Sequence, residues 1–386
     1  MNKVLLGDVA EEVREKYKET DGNPAVVGLE HLIPGEIRLK EWSEDTNTTF
    51  TKAFHKGQVL FGRRRAYLKK AAVAPVDGIC SGDITVISAK QDKILPELLP
   101  FVIQNNDFFD FAVGKSAGSL SPRVKWSRLK EYEFNLPSLP QQRKLAKLLW
   151  SFVDAKEAYE DLIHQTDELV KSQFIEMFGD PLSDEYSDAF TNLESIFEKP
   201  QAGEWGKDDI NGDGIPVLRT TNFTDEGYLT YDDVVTRDID RDKVTHKFLQ
   251  PGDILIEKSG GSGEKPVGRV VLFEGDADHY LSNNFTARLH LNGKYKINRL
   301  YVFFFMFVNY RRGGTKLYEG KTTGIHNLRL DEYLKNTSIP IPPMEVQSAF
   351  EDLVKQSDKS KFELQYVKRN VKEMITCSQK KIRLNR

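Results

Sequence analysis

Cysteine is almost missing: Cys80 and Cys377 are the two residues of that type in a chain of 386. Far apart, and with no CxxC or histidine-rich neighbour, they exclude a disulfide framework and a structural zinc site. Long apolar runs are missing as well, and the nearest, Leu300 to Val308, falls far short of the ~18 residues of a membrane span. The opening MNKVLLGDVAEEV has one lysine, a brief apolar patch and then acids. That is not the long apolar core and small-residue cleavage site of an export signal, so a cytoplasmic location is expected. Net charge is slight too, at -3, where a nucleic-acid binder ordinarily wants a basic surface.

Enzyme signatures fail one after another. GKS at Gly114 and GKT at Gly320 invite a nucleotide-binding reading, but the glycine needed five positions earlier is Phe109 in one and Thr315 in the other. DINGDG from Asp209 opens like a calcium loop, yet its twelfth position is Thr220 where a bidentate Glu is required. A turn between strands explains it. Asp253, Glu257 and Lys258 resemble a nuclease metal site, but adjacent residues on a strand point to opposite faces. The seven histidines are scattered singly. No triad, metal cluster or S-adenosylmethionine fingerprint emerges.

What is present is unevenly placed charge and a long-period repeat. From Lys52 to Ala72 there are seven Lys and Arg and no acid, and from Ala112 to Lys130 another five, again with none. Acids concentrate at Asp180 to Asp188, Asp225 to Asp242 and after Leu145, so basic faces on an acidic remainder are expected. KGQVLFGRRRAYLKKAAVAP from Lys56 parallels PGDILIEKSGGSGEKPVGRVVLFE from Pro251, each a Gly turn, a short apolar strand and then basic residues. Ser81 matches Ser282, Thr85 matches Thr286 and Tyr132 matches Tyr333, all 201 positions apart. A period of half the chain means two copies of one unit rather than a solenoid.

Each copy opens with turn-rich sequence holding short strands such as Ile84 to Ile87 and Asp253 to Ile256. An apolar helix is predicted next, over Leu95 to Val113 and over Asn298 to Tyr310, then a Gly-containing loop, then the exits NLPSLP and SIPIPP, which Pro should keep extended. Beyond them the pattern changes. Leu145, Leu149, Phe152, Tyr159, Ile163, Thr166, Val170, Phe174 and Met177 form the stripe of a helix over 141–178, roughly 55 Å long. Phe350, Leu353, Leu364, Val367, Val371, Met374 and Ile375 repeat it from Val346 to about Ile382. Two such stripes would zip into a coiled coil. FGDP at Phe178 to Pro181 should end the first, with Gly179 as a left-handed cap.

This arrangement resembles the specificity subunit of type I restriction–modification systems over essentially the whole chain: a mixed domain, LPSLPQQRKLAKLL or IPIPPMEVQSAFEDLV at its exit, a long helix, FGDP, and all of it again. The resemblance implies an α+β fold with an internal pseudo-two-fold repeat. Its parts would be target-recognition domain 1 over 1–138, a spacer helix over 139–180, target-recognition domain 2 over 181–342 and a second spacer helix over 343–386, the helices pairing antiparallel. It implies that each domain reads one half of a bipartite, asymmetric double-stranded DNA site. The helices would dock two modification subunits, joined by two restriction subunits where the system has them. S-adenosylmethionine, ATP and Mg²⁺ would serve those partners, with no cofactor and no catalysis in this chain. Two readers on a stiff rod suit such a site, because helix length sets their separation. A self-contained restriction endonuclease and a helical scaffold without a DNA role are the rival readings.

Three stretches are candidate DNA contacts. Arg63, Arg64 and Arg65 can bridge guanine acceptors, while Lys69 and Lys70 offer point charges to phosphate; on a strand at most two of the three arginines could face DNA. The matching place in the second copy holds Lys258, Lys265 and Arg269 in a Gly-rich insertion whose amides could approach a phosphate, or which could be an idle hairpin. The third is the loop after each apolar helix, with Ser119, Ser121 and Lys125 in one copy and Lys321, Thr322, Thr323 and His326 in the other. Packing each domain onto its helix exit is the alternative use of these loops.

Overall fold

In the computed structural model each Pro-punctuated exit ends a strand and starts a long helix. Residues 2–18, 24–182, 190–260, 265–322 and 325–379 are described, with backbone alone at 321, 322 and 325. The end of the second helix, expected near Ile382, lies outside them. One unit comprises Met1–Leu162 and Leu364–Arg386, the other Ile163–Glu363. The helices Leu139–Phe178 and Met344–Gln379 therefore each contribute residues to both units. The first begins earlier than its exit suggests. Pro140 sits in its opening turn, where a missing amide hydrogen leaves no bond unmade.

In the first unit Ala10–Val13, Ile84–Ala89, Val59–Gly62 and Ala71–Val73 lie in that order in an antiparallel sheet. Beside it Ala25–Val27 runs parallel to Gly78–Cys80, which pairs antiparallel with Lys52–Phe54. Asn2–Leu5 pairs with Glu133–Leu136. The apolar helix predicted over Leu95 to Val113 is two helices, Leu99–Ile103 and Asn106–Gly114. Asn105 explains the break: its backbone is extended and its side chain accepts from the Asp107 amide at 3.1 Å, capping a fresh start. Phe61, Phe108, Phe109, Tyr132 and Phe134 pack into one core, with Leu145, Leu149 and Val153 of the first long helix and Val371 and Ile375 of the second. Fully burying a side chain such as Leu149 stabilises the unit by roughly 2 kcal/mol.

A charged layer flanks that core. Glu36 binds Lys156 at 2.5 Å, and Glu160 binds both Lys40 and Lys368 at 3.0 Å. Burial pushes the Glu160 carboxyl up, but the hydrogen bonds from Lys40 and Lys368 and the charges of Lys156 and Lys368 outweigh it and hold the group at about 2.

The second unit repeats the first. Gln201–Ala202, Thr286–Leu289, Ile254–Glu257 and Val270–Leu272 form its four-stranded antiparallel sheet. Val59 faces Ile87 and Val73 in one unit as Ile254 faces Leu289 and Leu272 in the other. Both sheets are entered through a left-handed glycine, Gly57 or Gly252. The neighbouring sheets keep a parallel pair in common, here Ile215–Leu218 with Leu281–Ser282. They then diverge: the antiparallel partner Val235–Asp238 joins Ile215–Leu218 and not the other member. The DINGDG stretch is a turn, Asp209 accepting from the Gly212 and Gly214 amides.

The apolar helix Arg299–Arg311 is capped by Asn298 and buried on every side from Leu300 to Tyr310, as an all-round hydrophobic helix must be. Phe174 and Phe350, one from each long helix, pack edge to face at 5.4 Å beneath Tyr301 and Phe304. Asp167 and Lys361 meet at 2.9 Å with both side chains buried, and Tyr228 donates to Asp167. The pairings 174 with 350 and 167 with 361 make these helix segments antiparallel. Gly179, with φ +82, ends the first helix and donates its amide to the Ile175 carbonyl.

Candidate nucleic-acid interface

Hydrogen bonds at the strand ends define matching positions in the two units. The Arg63 amide donates to the Asp83 carbonyl and the Lys258 amide to the Phe285 carbonyl; the Arg63 carbonyl accepts from Val124 and the Lys258 carbonyl from Leu328. So Arg63 corresponds to Lys258, and Asp83 to Phe285. The bridge of Arg64 to Arg123 corresponds to the pairing of Ser259 with Asn327. Around Asp83 this equivalence runs at 202 positions, one more than the Ser81–Ser282 and Thr85–Thr286 matches suggest. Tyr132 and Tyr333 are not equivalent either. The residue before each closing strand is Tyr132 in one unit and Thr337 in the other, the Tyr132 carbonyl accepting from Leu6 as the Thr337 carbonyl accepts from Leu193.

These bonds bring together stretches that are far apart in the chain. In the first unit the arginine run is not a strand beyond Gly62: Arg65 and Lys69 adopt left-handed backbones around the short turn Ala66–Leu68. The Arg65 amide donates to the Pro122 carbonyl, so Arg63 to Arg65 lie against the loop of Ser119, Ser121 and Lys125. Arg65, Ser119 and Lys125 are exposed, and Arg63 and Arg64 half-buried. Arg64 donates to Ser121 Oγ at 3.1 and 3.2 Å. Asp83 receives two hydrogen bonds from Arg123, at 2.7 and 3.1 Å, and lies 3.6 Å from Arg64. The Arg123 hydrogen bonds, against burial and with the charges of Arg123, Arg64 and Arg63, hold the Asp83 carboxyl below its ordinary range. Lys69 Nζ reaches Asn106 Oδ1 at 2.8 Å.

In the second unit the segment expected as a loop is a hairpin, Glu319–Thr322 with Ile325–Leu328, and Ser259–Gly260 adds a third strand. Lys258, directly before this third strand, is thereby bonded through its carbonyl to the hairpin strand that carries His326. Thr323 lies outside the described residues, as do the side chains of Lys321 and Thr322 and the insertion at 261–264. His326 Nδ1 lies 3.2 Å from Glu319 Oε2, and Lys265 pairs with Asp225 at 2.7 Å. Lys258 has no carboxylate within ion-pair distance among the described residues, and burial, then the nearby Lys247 charge, pull its ammonium below the ordinary range. A cleft of about 440 Å³ opens beside it, lined by Ala202, Ala287 and Leu328 together with the charged Arg329, Asp331 and Glu332.

Two candidates are tied to main-chain carbonyls. Lys70 and Arg269 are equivalent, since their carbonyls accept from Gly62 and Glu257. Lys70 Nζ donates to the Leu29 carbonyl at 2.7 Å and Arg269 to the Thr220 carbonyl at 3.2 Å. Arg269 is also held by two bonds to the buried Glu257, at 3.0 and 3.1 Å. A side chain tied to a carbonyl of a separate short helical turn, Leu29–His31 or Thr220–Asn222, braces the contact between the two segments. Asp83, Arg123, Phe285 and Asn327 were not among the sequence candidates: Asp83 and Phe285 lie 202 positions apart and Arg123 and Asn327 204, so a constant spacing of 201 does not align them.

Comparison with known proteins agrees with this duplicated geometry. The family model for the type I restriction modification DNA specificity domain matches residues 1–165 and again 189–374. The chain belongs to that family. It is 27% identical over 168 residues to the type I restriction enzyme EcoDI specificity subunit of Escherichia coli, a match covering 41% of this chain and 35% of that relative. The match thus spans about a third of that relative's length. A chain from a structure of the type I R-M system aligns at TM-score 0.55 and 20% identity over 98% of this chain and 96% of that one. The type I S subunit from M. genitalium aligns at 0.52 and 12% over 100% and 96%. The two structures share the fold, with the same pair of sheet-rich parts and long helices.

Proposed function

We propose that the chain reads a bipartite, asymmetric double-stranded DNA target for a type I restriction–modification assembly, one half with each unit. The duplicated frame carries this reading: equivalent backbone bonds set Arg63 and Arg64 in one unit, and Lys258 and Ser259 in the other, against the segment that follows the apolar helix, with different side chains in each. Shared frames with unlike surfaces suit two half-sites of unlike sequence. In the first unit Arg63, Arg64 and Arg65 read base edges, guanine O6 and N7 being their best partners. Lys69, Lys125, Ser119 and Ser121 hold phosphates. In the second, Lys258, Lys265, Lys321, Thr322, Thr323 and His326 take these roles, while Lys70 and Arg269 brace contacts between segments of their own units.

The long helices dock two modification subunits, and two restriction subunits join in systems that cut. The chain contributes no catalysis. S-adenosylmethionine, ATP and Mg²⁺ belong to the partner subunits. Titrating duplex DNA onto the chain mixed with its modification partner tests this: binding is site-specific and weakens by a factor on the order of 10³ between about 50 and 200 mM salt. Binding that ignores salt and sequence would leave a scaffold. Plasmid cleavage by the purified chain with Mg²⁺ would make it an endonuclease.

A further inference from the structure

We infer that Phe285 is a specificity-determining residue of the second unit, its ring meeting the C5-methyl group of a thymine; the inference rests on the DNA-reading function proposed above. Three equivalent positions carry opposite chemistry in the two units. Arg64, Asp83 and Arg123 form an ionic cluster in the first. Ser259, Phe285 and Asn327 replace them in the second, with Ser259 Oγ 2.6 Å from Asn327 Oδ1. A carboxylate that gathers two guanidinium groups has given way to a hydrocarbon ring.

That ring is 47% exposed, and isolated exposed apolar residues are common. Two observations set this one apart. Its backbone is pinned: the Phe285 carbonyl accepts from the amides of both Lys258 and Ser259, at 2.7 and 3.1 Å, and the next residue, Thr286, closes back on the Asn283 carbonyl with both its amide and its hydroxyl. The ring is therefore carried on a rigid turn. Its backbone also borders Lys258, a half-buried cation with no carboxylate within ion-pair distance among the described residues, although Asp331 and Glu332 line the same cleft, and one that can meet an anion such as a phosphate. In the major groove the thymine methyl is the one apolar feature a side chain can read, and aromatic contact with it discriminates by shape without a hydrogen bond. The first unit, with Asp83 there, can offer no such contact.

The test uses the full assembly. DNA modified by wild-type, Phe285→Ala and Phe285→Leu complexes is sequenced to define each recognition motif. Phe285→Ala is expected to lose selectivity about tenfold at one A·T pair of one half-site, as for a lost base-pair contact. The other half should be unchanged and Phe285→Leu close to wild type. Replacing that thymine by uracil, which removes only the methyl, should then weaken the wild-type complex by a similar factor and leave Phe285→Ala unaffected. An unaltered motif in Phe285→Ala overturns the inference. So does indifference of the wild-type complex to uracil at every thymine of the site, a measurement that needs no variant to fold. If the wild-type complex yields no bipartite motif at all, the underlying function fails along with it.

Discussion

Asp83 shows how one carboxylate can order a basic surface. It holds Arg123 through both oxygens and lies within ion-pair reach of Arg64. Guanidinium groups held in a fixed fork can match a base edge, whereas free ones bind phosphate wherever they meet it. Asp83→Asn should therefore raise affinity for unrelated DNA and lower selectivity at one half-site by about 1 kcal/mol, roughly fivefold. Competition binding against non-specific duplex measures both, and unchanged selectivity would reduce Asp83 to a local brace. Because its folded-state pKa lies below the ordinary value, the stability Asp83 contributes is complete above that value, near 3.8, and is lost only as pH falls through the lower one. The clamp stays ionised at neutral pH.

At the scale of elements, one glutamine in each copy seats a long helix. Gln142 accepts from the Leu95 amide at 2.9 Å and donates to the carbonyls of Pro137 and Lys93. Gln347 accepts from the Asn298 amide at 2.7 Å and donates to those of Pro342 and Lys296. Both are fully buried. Each amide thus ties the first turn of a long helix to the approach of the apolar helix in the same unit. Gln347→Ala leaves those buried backbone groups unpaired and should destabilise its unit by about 2 kcal/mol, seen as a lower urea midpoint. An unmoved midpoint would mean water replaces the side chain. The glutamines were visible in the sequence as part of the exit pattern, but their distant partners, 47 to 51 residues away, were not.

For the whole molecule the consequence of duplication is independence. Two surfaces built on separate cores can change separately, so replacing Arg63, Arg64 and Arg65 by Gln should weaken binding and relax one half of the target while the other is read normally. Each lost base contact should cost about 1–3 kcal/mol. Sequencing the modified DNA checks it. Equal weakening of both halves would make the three arginines positioning groups at most.

Most of the architecture was legible along the chain, because its causes are local. Helical spacing of apolar residues, the bar that Pro sets to helix, and the left-handed freedom of Gly179 act within a few residues. They disclosed the two long helices, the strands Ile84–Ala89 and Ile254–Glu257 to within two residues, and the duplication itself. The break at Asn105 was missed since a capping side chain competes with an apolar pattern that runs straight through it.

Tertiary structure alone decided which charges are tied to the main chain and which residues share a surface. Lys70 and Arg269 read as free cations until their carbonyl partners, 41 and 49 residues away, tie them down. Arg64 meets Ser121, and Ser259 meets Asn327, through pairings across 57 and 68 residues. Hydrogen-bond register between distant strands sets these meetings, and a shift of one residue gives every position a different neighbour.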